Sequence, residues 1–391
     1  MKLPLYLDYN ATTPIDHRVF EAMMPHLGEE FGNSASIDHL HGARASDAVE
    51  KARAAIAGTI NARPEELLFT SGATESDNLA LIGVMEANED KGDHLITSKM
   101  EHPAVLETAK YLQKRGKHVT FLDVDRTGLL DPDAIAKAIT NRTVLISVMM
   151  ANNEIGTIEP VEVIGRIAHE RGIYFHTDAT QAIGKLSVDV RAMNIDLMSF
   201  SAHKVYGPKG MGALFIRRRN PFVKVSAQIH GGGHERGLRS GTINTAAVVG
   251  FSKALQLCYE ALSSEPPRMQ ALRERLWQGL KSRVAGTELN GHPTKCIPNC
   301  LNVYLPGVEN RALMLTMKDQ LAFSAGSACA TSKVEPSHVL TALGYSASRS
   351  HNSIRLSLGR PTTTEEVDLA IEEISRMANT IRNRFCSTAQ S

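Results

Sequence analysis

Lys204 closes the tetrapeptide Ser201-Ala202-His203-Lys204, which follows the apolar run Ile195 to Phe200 and leads into Gly207-Pro208-Lys209-Gly210. This order reads as a buried strand delivering one lysine onto a loop. A lysine held where a buried strand ends sheds hydration, which lowers its pKa and frees the amine to attack an aldehyde. That is the chemistry of a Schiff-base lysine; the ordinary alternative is a solvated lysine at a strand end. Asp178 stands at the end of a second candidate strand, Ile173-Tyr174-Phe175-His176-Thr177, after a helical segment from about Pro160 to Arg171. An acid there can pair with a pyridinium nitrogen, or simply cap a helix or turn. Pyridoxal 5′-phosphate needs a lysine for its aldehyde and an acid that keeps its ring nitrogen protonated. Lys204 and Asp178 fit that pair.

Further groups of the same kind surround these two in sequence. Ser71-Gly72-Ala73-Thr74-Glu75 lies between a strand and a helix, so the amides of Ala73 and Thr74 would face outward at the positive helix end, where a phosphate binds. Ordinary capping accounts for such a turn equally well. Ser201 and His203 would add phosphate hydrogen bonds. His102, in Glu101-His102-Pro103, would stack on a cofactor ring or relay a proton, or serve structure alone. Asn153, in Asn152-Asn153-Glu154, would bond the cofactor or a substrate amine, or be part of a plain Asn-rich turn. Gly231-Gly232-Gly233 runs through His234-Glu235-Arg236 to Arg239-Ser240-Gly241-Thr242, too glycine-rich for a strand or helix interior, so it reads as a loop, with a mobile lid or subunit contact weighed equally against direct ligand binding. Cys329 sits among small residues from Ser324 to Ser332 that bury little and would hold the chain weakly. Its thiol is a candidate nucleophile, although a free cysteine is commonly a small buried hydrophobe.

The elements that must position these groups follow from periodicity. From about residue 65 to 216, short apolar runs alternate with amphipathic stretches, which predicts an α/β fold with a mainly parallel sheet covered on both faces and ligands at the strand ends. Beyond Gly250 the pattern changes: a helix from about Ala246 to Leu262, Glu265-Pro266-Pro267 as a hinge, a helix from Arg268 to Val284, strands near Cys300 and Ile354, and a last helix from about Glu365 to Arg384. That mix predicts a smaller α+β domain.

With 391 residues, 42% of them apolar, the chain can bury one large or two medium cores. Its 43 Lys and Arg against 42 Asp and Glu give no global attraction to nucleic acid or anionic lipid. The cluster Arg217-Arg218-Arg219 is expected on a solvated surface. Five scattered cysteines, without paired two-residue spacing, argue against a disulfide framework or a zinc site, so no metal is expected and a reducing cytoplasm is. No run approaches the ~20 apolar residues of a membrane span.

Taken together, these residues resemble the cysteine desulfurases of the NifS/IscS type, pyridoxal phosphate enzymes of the class V aminotransferase family with the aspartate aminotransferase-like fold type I. The resemblance spans nearly the whole chain: Tyr6 to Thr13, Phe31-Gly32-Asn33, Thr70 to Asn78, Glu101-His102, Asn152-Asn153-Glu154, Asp178 to Gln181, Ser201 to Lys204, Gly231 to Thr242, Gly326 to Cys329 and Ser353-Ile354-Arg355. It implies that Lys204 bonds the cofactor covalently, Asp178 pairs with its ring nitrogen, Gln181 contacts the ring hydroxyl and His102 stacks on the ring. Ala73, Thr74, Ser201 and His203 would hold the phosphate, joined by Thr242 from the other subunit of a homodimer. Arg355, with Asn33 and Asn153, would fix the carboxylate of L-cysteine. Cys329 would take the sulfur as a persulfide, leaving alanine, and carry it to an acceptor protein. We expect a large cofactor-binding domain over residues 15–255 and a small domain from 1–14 and 256–391.

Ser34 stands where that family commonly has proline, Ala330 where it has threonine, and the chain stops soon after its last helix. Housekeeping members carry a longer C-terminal extension for scaffold docking. Besides iron-sulfur cluster assembly, the acceptor could therefore belong to tRNA thiolation or DNA phosphorothioation machinery, without direct nucleic-acid binding by this chain. The alternatives are a selenocysteine lyase, another aminotransferase-type reaction, or an idle member serving as a binding platform.

Overall fold

The computed structural model describes residues 4–325 and 335–388, with side chains through Asn383. The chain opens with β1 (Leu5–Tyr6), α1 (His17–Leu27) and α2 (Leu40–Thr59). Strands and helices then alternate: β2 (Leu67–Thr70), α3 (Ala73–Ala87), β3 (His94–Ser98), α4 (Pro103–Lys114), β4 (His118–Leu122), α5 (Pro132–Ala138), β5 (Thr143–Ser147), α6 (Val161–Glu170), β6 (Tyr174–Asp178), β7 (Leu197–Ser201) and β8 (Gly212–Ile216). There follow α7 (Thr245–Glu260), α8 (Glu265–Arg283), β9 (Glu288–Asn290), β10 (Cys300–Tyr304), α9 (Asn310–Met317), β11 (Leu321–Ala322), α10 (His338–Ala342), α11 (Ala347–His351), β12 (Ser353–Ser357) and α12 (Thr364–Thr388).

Among the described residues, seven strands form one sheet in the order β2-β8-β7-β6-β5-β3-β4. Its neighbours pair in parallel from β7 through β6, β5 and β3 to β4, whereas β8 runs against both β2 and β7. Parallel strands need long crossovers, and the intervening helices supply them while covering both faces. The strand sequences show why both faces are apolar. Leu67 and Phe69 of β2, Met198 and Phe200 of β7 and Ala213 and Phe215 of β8 enter one core with residues of α2 and α7, such as Ile56 and Phe251. Their alternates Leu68, Leu197, Leu214 and Ile216 enter a second core with Leu81 and Val84 of α3 and Leu112 of α4.

A third core lies under the antiparallel sheet β12-β10-β9, where Leu301, Val303, Ile354 and Leu356 meet Leu276 and Leu280 of α8 and Ile371 and Ile374 of α12. Leu5 and Leu7 join it from the N-terminus, because β1 pairs with β11. Alternation along β12 leaves Ser353, Arg355 and Ser357 on the face away from that core. Among the described residues, no helix is long and apolar enough to cross a membrane.

Two expectations are corrected. Glu265-Pro266-Pro267 is no hinge: it is the first turn of α8, where a proline's fixed φ and missing N–H cost little. Arg217 is buried rather than solvated; its Nε lies 3.0 Å from Asp196 Oδ1, and its guanidinium donates to the carbonyls of Val190 and Ile195.

The glycine-rich segment from Gly231 to Thr242 is a loop with a single 3₁₀ turn, Glu235–Gly237, at its centre. Glu235 is buried and accepts a two-pronged bond from Arg53 of α2, at 2.9 and 2.7 Å, and a third from the Phe69 amide at 2.7 Å. Removing that carboxylate strips the Phe69 amide and one prong of the buried Arg53 fork of their partner, leaving the guanidinium to Glu50 and the Leu67 carbonyl. Glu235→Ala should lower stability by about 3 kcal/mol in denaturant unfolding; a loss below about 1 kcal/mol would place the pair among contacts of surface strength.

Candidate active site

The C-terminal ends of the parallel strands set out the side chains that the sequence singled out. β6 ends on Asp178, β7 ends on Ser201, and a 3₁₀ turn over Ala202–Lys204 then carries the lysine inward. β2 leads through Ser71 and Gly72 into α3, and the loop after β3 ends at His102, the N-cap of α4. These ends border a cavity of about 720 Å³ whose lining includes Ala73, Thr74, His102, Asn153, Asp178, Gln181, Ser201, His203, Lys204 and Arg355. The reversal of β8 brings its own beginning, Gly210 to Gly212, to the same rim. Gly212 packs so closely on Gly72 that a Cβ there would lie 2.6 Å from the Gly72 Cα.

Lys204 Nζ donates to the main-chain carbonyls of Asn10 (2.6 Å) and Ala11 (2.8 Å). Desolvation, aided by the charges of Lys185 and Arg355, pushes this amine down to about 7 despite opposition from Asp178 and Asp8. A large fraction is therefore the free amine at neutral pH. The Asp178 carboxylate accepts from the Thr180 amide at 2.9 Å. Behind it lies Asp77, fully buried, whose own carboxyl is raised well above its usual range by burial and by the Asp178 charge. Such a group favours its protonated form.

The histidines are held neutral by burial. His102 Nδ1 accepts from the Ala104 amide at 3.1 Å, which puts its proton on Nε2, and burial lowers its pKa. His203 is pushed down to about 4 by burial and by Lys204, Lys209 and Lys185, and its Nδ1 lies 3.1 Å from Thr12 Oγ1. Ser201 Oγ donates to the Met211 carbonyl at 3.2 Å. Gln181 Nε2 donates to the Asn10 carbonyl at 3.0 Å.

Arg355 reaches the cavity from the polar face of β12. It donates to Asp8 Oδ1 at 2.7 Å and to the Asn153 carbonyl at 3.1 Å, and its buried Nε has no partner among the described residues. Asn33 and Thr242 are both exposed and stand apart from the lining; Asn33 Oδ1 accepts from the Ala35 amide. Cys329 lies outside the described residues. The chain on either side is tied to the site: Ser324 exchanges main-chain bonds with Arg355, and beyond Glu335 and Pro336, which line the cavity, Ser337 donates to Glu154 Oε2 at 2.6 Å.

The residues fit pyridoxal phosphate. α3, 15 residues long, has no side chain capping its N-terminus, so the first-turn amides of Ala73 and Thr74 open on the cavity as a phosphate cradle. A desolvated amine and a buried carboxylate border the same space. Sequence reasoning missed Asn10, Asp8, Lys185 and His338, whose Nε2 lies 2.9 Å from the Glu101 carbonyl. The spacing of four between Gln181 and Lys185 was legible; the other links join residues more than a hundred positions apart.

The family model for aminotransferase class V matches residues 5–369. The chain belongs to the class V aminotransferase family. Within it, a cysteine desulfurase IscS of Anaeromyxobacter sp. (strain Fw109-5) is 50% identical over 381 residues, covering 96% of this chain and 94% of that protein. Among solved structures, a NifS-like protein superposes with a TM-score of 0.90 at 37% identity, covering 97% of this chain and 100% of that one. A second, SspA in complex with cysteine, gives 0.80 at 38% identity, covering 90% and 98%. This family member is accordingly a pyridoxal phosphate enzyme of the cysteine desulfurase type.

The lowered Lys204 amine has a measurable consequence. Only the neutral amine attacks an aldehyde, and this one is neutral above about 7. In cofactor-stripped protein, the rate of pyridoxal phosphate capture should rise with pH through about 7 and level off above it. A rate that keeps climbing towards the ordinary lysine range would contradict the desolvation.

Proposed function

We propose that this cavity removes sulfur from L-cysteine, with Arg355 seating the substrate carboxylate, Lys204 moving the α-proton and Cys329 receiving the sulfur. The observation that carries this reading is the convergence of the desolvated Lys204 amine, the Asp178 carboxylate and the unpartnered Arg355 Nε on one cavity. Bound there, pyridoxal phosphate would supply a covalent anchor for the substrate amine and a protonated ring that accepts electron density. Ala73, Thr74, Ser201 and His203 would hold its phosphate, with Thr242 of a second copy; Asp178 would face the ring nitrogen, Gln181 the ring hydroxyl and His102 the ring plane.

The chain's own groups then divide the work. The Arg355 fork takes a carboxylate in two parallel bonds, in competition with Asp8, while Asn153 and Asn33 flank it. Lys204 Nζ accepts the α-proton as a free amine and holds it in a desolvated setting. The Cys329 thiolate attacks the substrate sulfur: an S–S bond forms, the Cβ–S bond breaks, and the bonding pair stays with carbon, which takes up a proton and leaves as alanine. Cys329 lies five positions beyond Ser324 in sequence, a chain length of at most about 18 Å. The persulfide then passes to an acceptor protein.

Two copies are needed for Thr242 to reach a cavity. The exposed Phe20, Met24, Leu27, Phe31 and Ile37 all fall within one short N-terminal stretch and supply an apolar surface for a second copy. Met24→Glu combined with Leu27→Glu should convert dimers to monomers in sedimentation analysis; a wild-type protein that is already monomeric would refute the pairing.

Three variants test the chemistry. Cys329→Ser should keep the visible cofactor band yet lose persulfide and alanine formation, and undiminished alanine output would rule the thiol out. Lys204→Ala should form no borohydride-stable bond to the cofactor. Arg355→Lys, which cannot form the fork, should raise the KM for cysteine about tenfold, the loss of roughly 1.5 kcal/mol of charge-assisted bonding.

A further inference from the structure

Lys185 is half-buried in the turn that follows β6, one helical turn beyond Gln181, and no step of the proposed reaction uses it. Among the described residues, no carboxylate lies within ion-pair distance of its Nζ. Its hydrogen-bond partners are two oxygens of one residue: the Gln181 main-chain carbonyl at 2.9 Å and Gln181 Oε1 at 3.4 Å. A cation without an anion is costly to bury, and such groups gather at functional sites.

The contacts continue in one direction. With Oε1 turned towards Lys185, the Gln181 carboxamide points Nε2 at the Asn10 carbonyl, 3.0 Å away, and that same carbonyl takes the Lys204 amine at 2.6 Å. A flipped carboxamide would set oxygen against oxygen at Asn10 and leave Lys185 facing an NH₂ group. We propose that Lys185 is a positioning residue for the Lys204 amine, fixing the orientation of Gln181 and placing a second positive charge behind the site. This rests on Lys204 being the cofactor-bonding amine.

The electrostatics agree with the geometry. Burial pushes Lys185 down to about 8, with the Cys258 and Cys300 thiols of α7 and β10 facing it, so it remains mostly charged at neutral pH. Of the charges around Lys204, that of Lys185 lowers its pKa most; Arg355 adds to it, and Asp178 and Asp8 oppose it. His102 and His203 are neutral neighbours, and Lys209 bears on His203.

The test uses cofactor-stripped full-length protein and pyridoxal phosphate itself, with capture followed by absorbance against pH and trapped by borohydride for mass analysis. In Lys185→Met and Lys185→Gln the midpoint of capture should move up by about one pH unit, slowing capture at pH 7 about fivefold. Lys185→Arg should restore the wild-type midpoint. A midpoint unmoved in the folded neutral variants overturns the proposal, since a merely structural lysine would change the melting temperature and leave the titration alone. A second measurement needs no variant: in ¹⁵N-lysine NMR of the unaltered stripped protein, the Lys204 signal should show a second inflection where Lys185 titrates, and a single inflection overturns the coupling. Lys204→Ala separates the two readings. Covalent capture persisting in that variant would remove Lys204 as the anchor, whereas capture lost there with an unmoved Lys185→Met midpoint would defeat this inference alone.

Discussion

Asn10 is the knot on which the site depends. It is buried, and every polar group it has is in use: its amide donates to Ser357 Oγ, its Nδ2 to the Asn153 carbonyl, its Oδ1 accepts from Asn299, and its carbonyl accepts from both Gln181 and Lys204. Five bonds reach five separate stretches of chain, among them β12 of the smaller sheet and the turn after β6. A buried amide or carbonyl left without a partner costs about 1–3 kcal/mol, so these contacts stand together. The N-terminal segment therefore serves as a wall of the cavity while Leu5 and Leu7, a few residues earlier, are packed in the core under the smaller sheet.

One physical effect, loss of water at the strand ends, acts in opposite senses on the groups of this rim. It lowers Lys204 and His203, which are bases, and raises Asp77, which is an acid. In each case the neutral form gains. The rim thus gathers several ionisable groups in a small volume without gathering as many charges.

Much of this was legible in the sequence because it follows from local pattern. The alternation of apolar runs with amphipathic stretches placed Asp178, Ser201 and Lys204 at strand ends, and strand-end residues of a parallel sheet share one rim. Arg217 was misread because three arginines in a row look solvated. Only the folded end of β8 shows that the first of them turns inward to Asp196. Glu265-Pro266-Pro267 was misread because proline breaks helices in their middles and starts them at their ends, and sequence alone did not say which. Asn10 was invisible as a hub, since its partners lie up to 347 positions away. Lys185 carried a local clue in its spacing from Gln181, but the cost of its burial appears only once the turn is folded against α7 and β10.

The contact of Gly212 with Gly72 has an evolutionary corollary. Where the reversed strand meets the turn into α3, main chain lies directly on main chain. The opposite walls, built of histidine, asparagine and arginine, can be resculpted one substitution at a time to favour another amino acid. This border offers no side chain to vary, so descendants of the enzyme can diverge in what they admit while keeping the distance between turn and sheet unchanged.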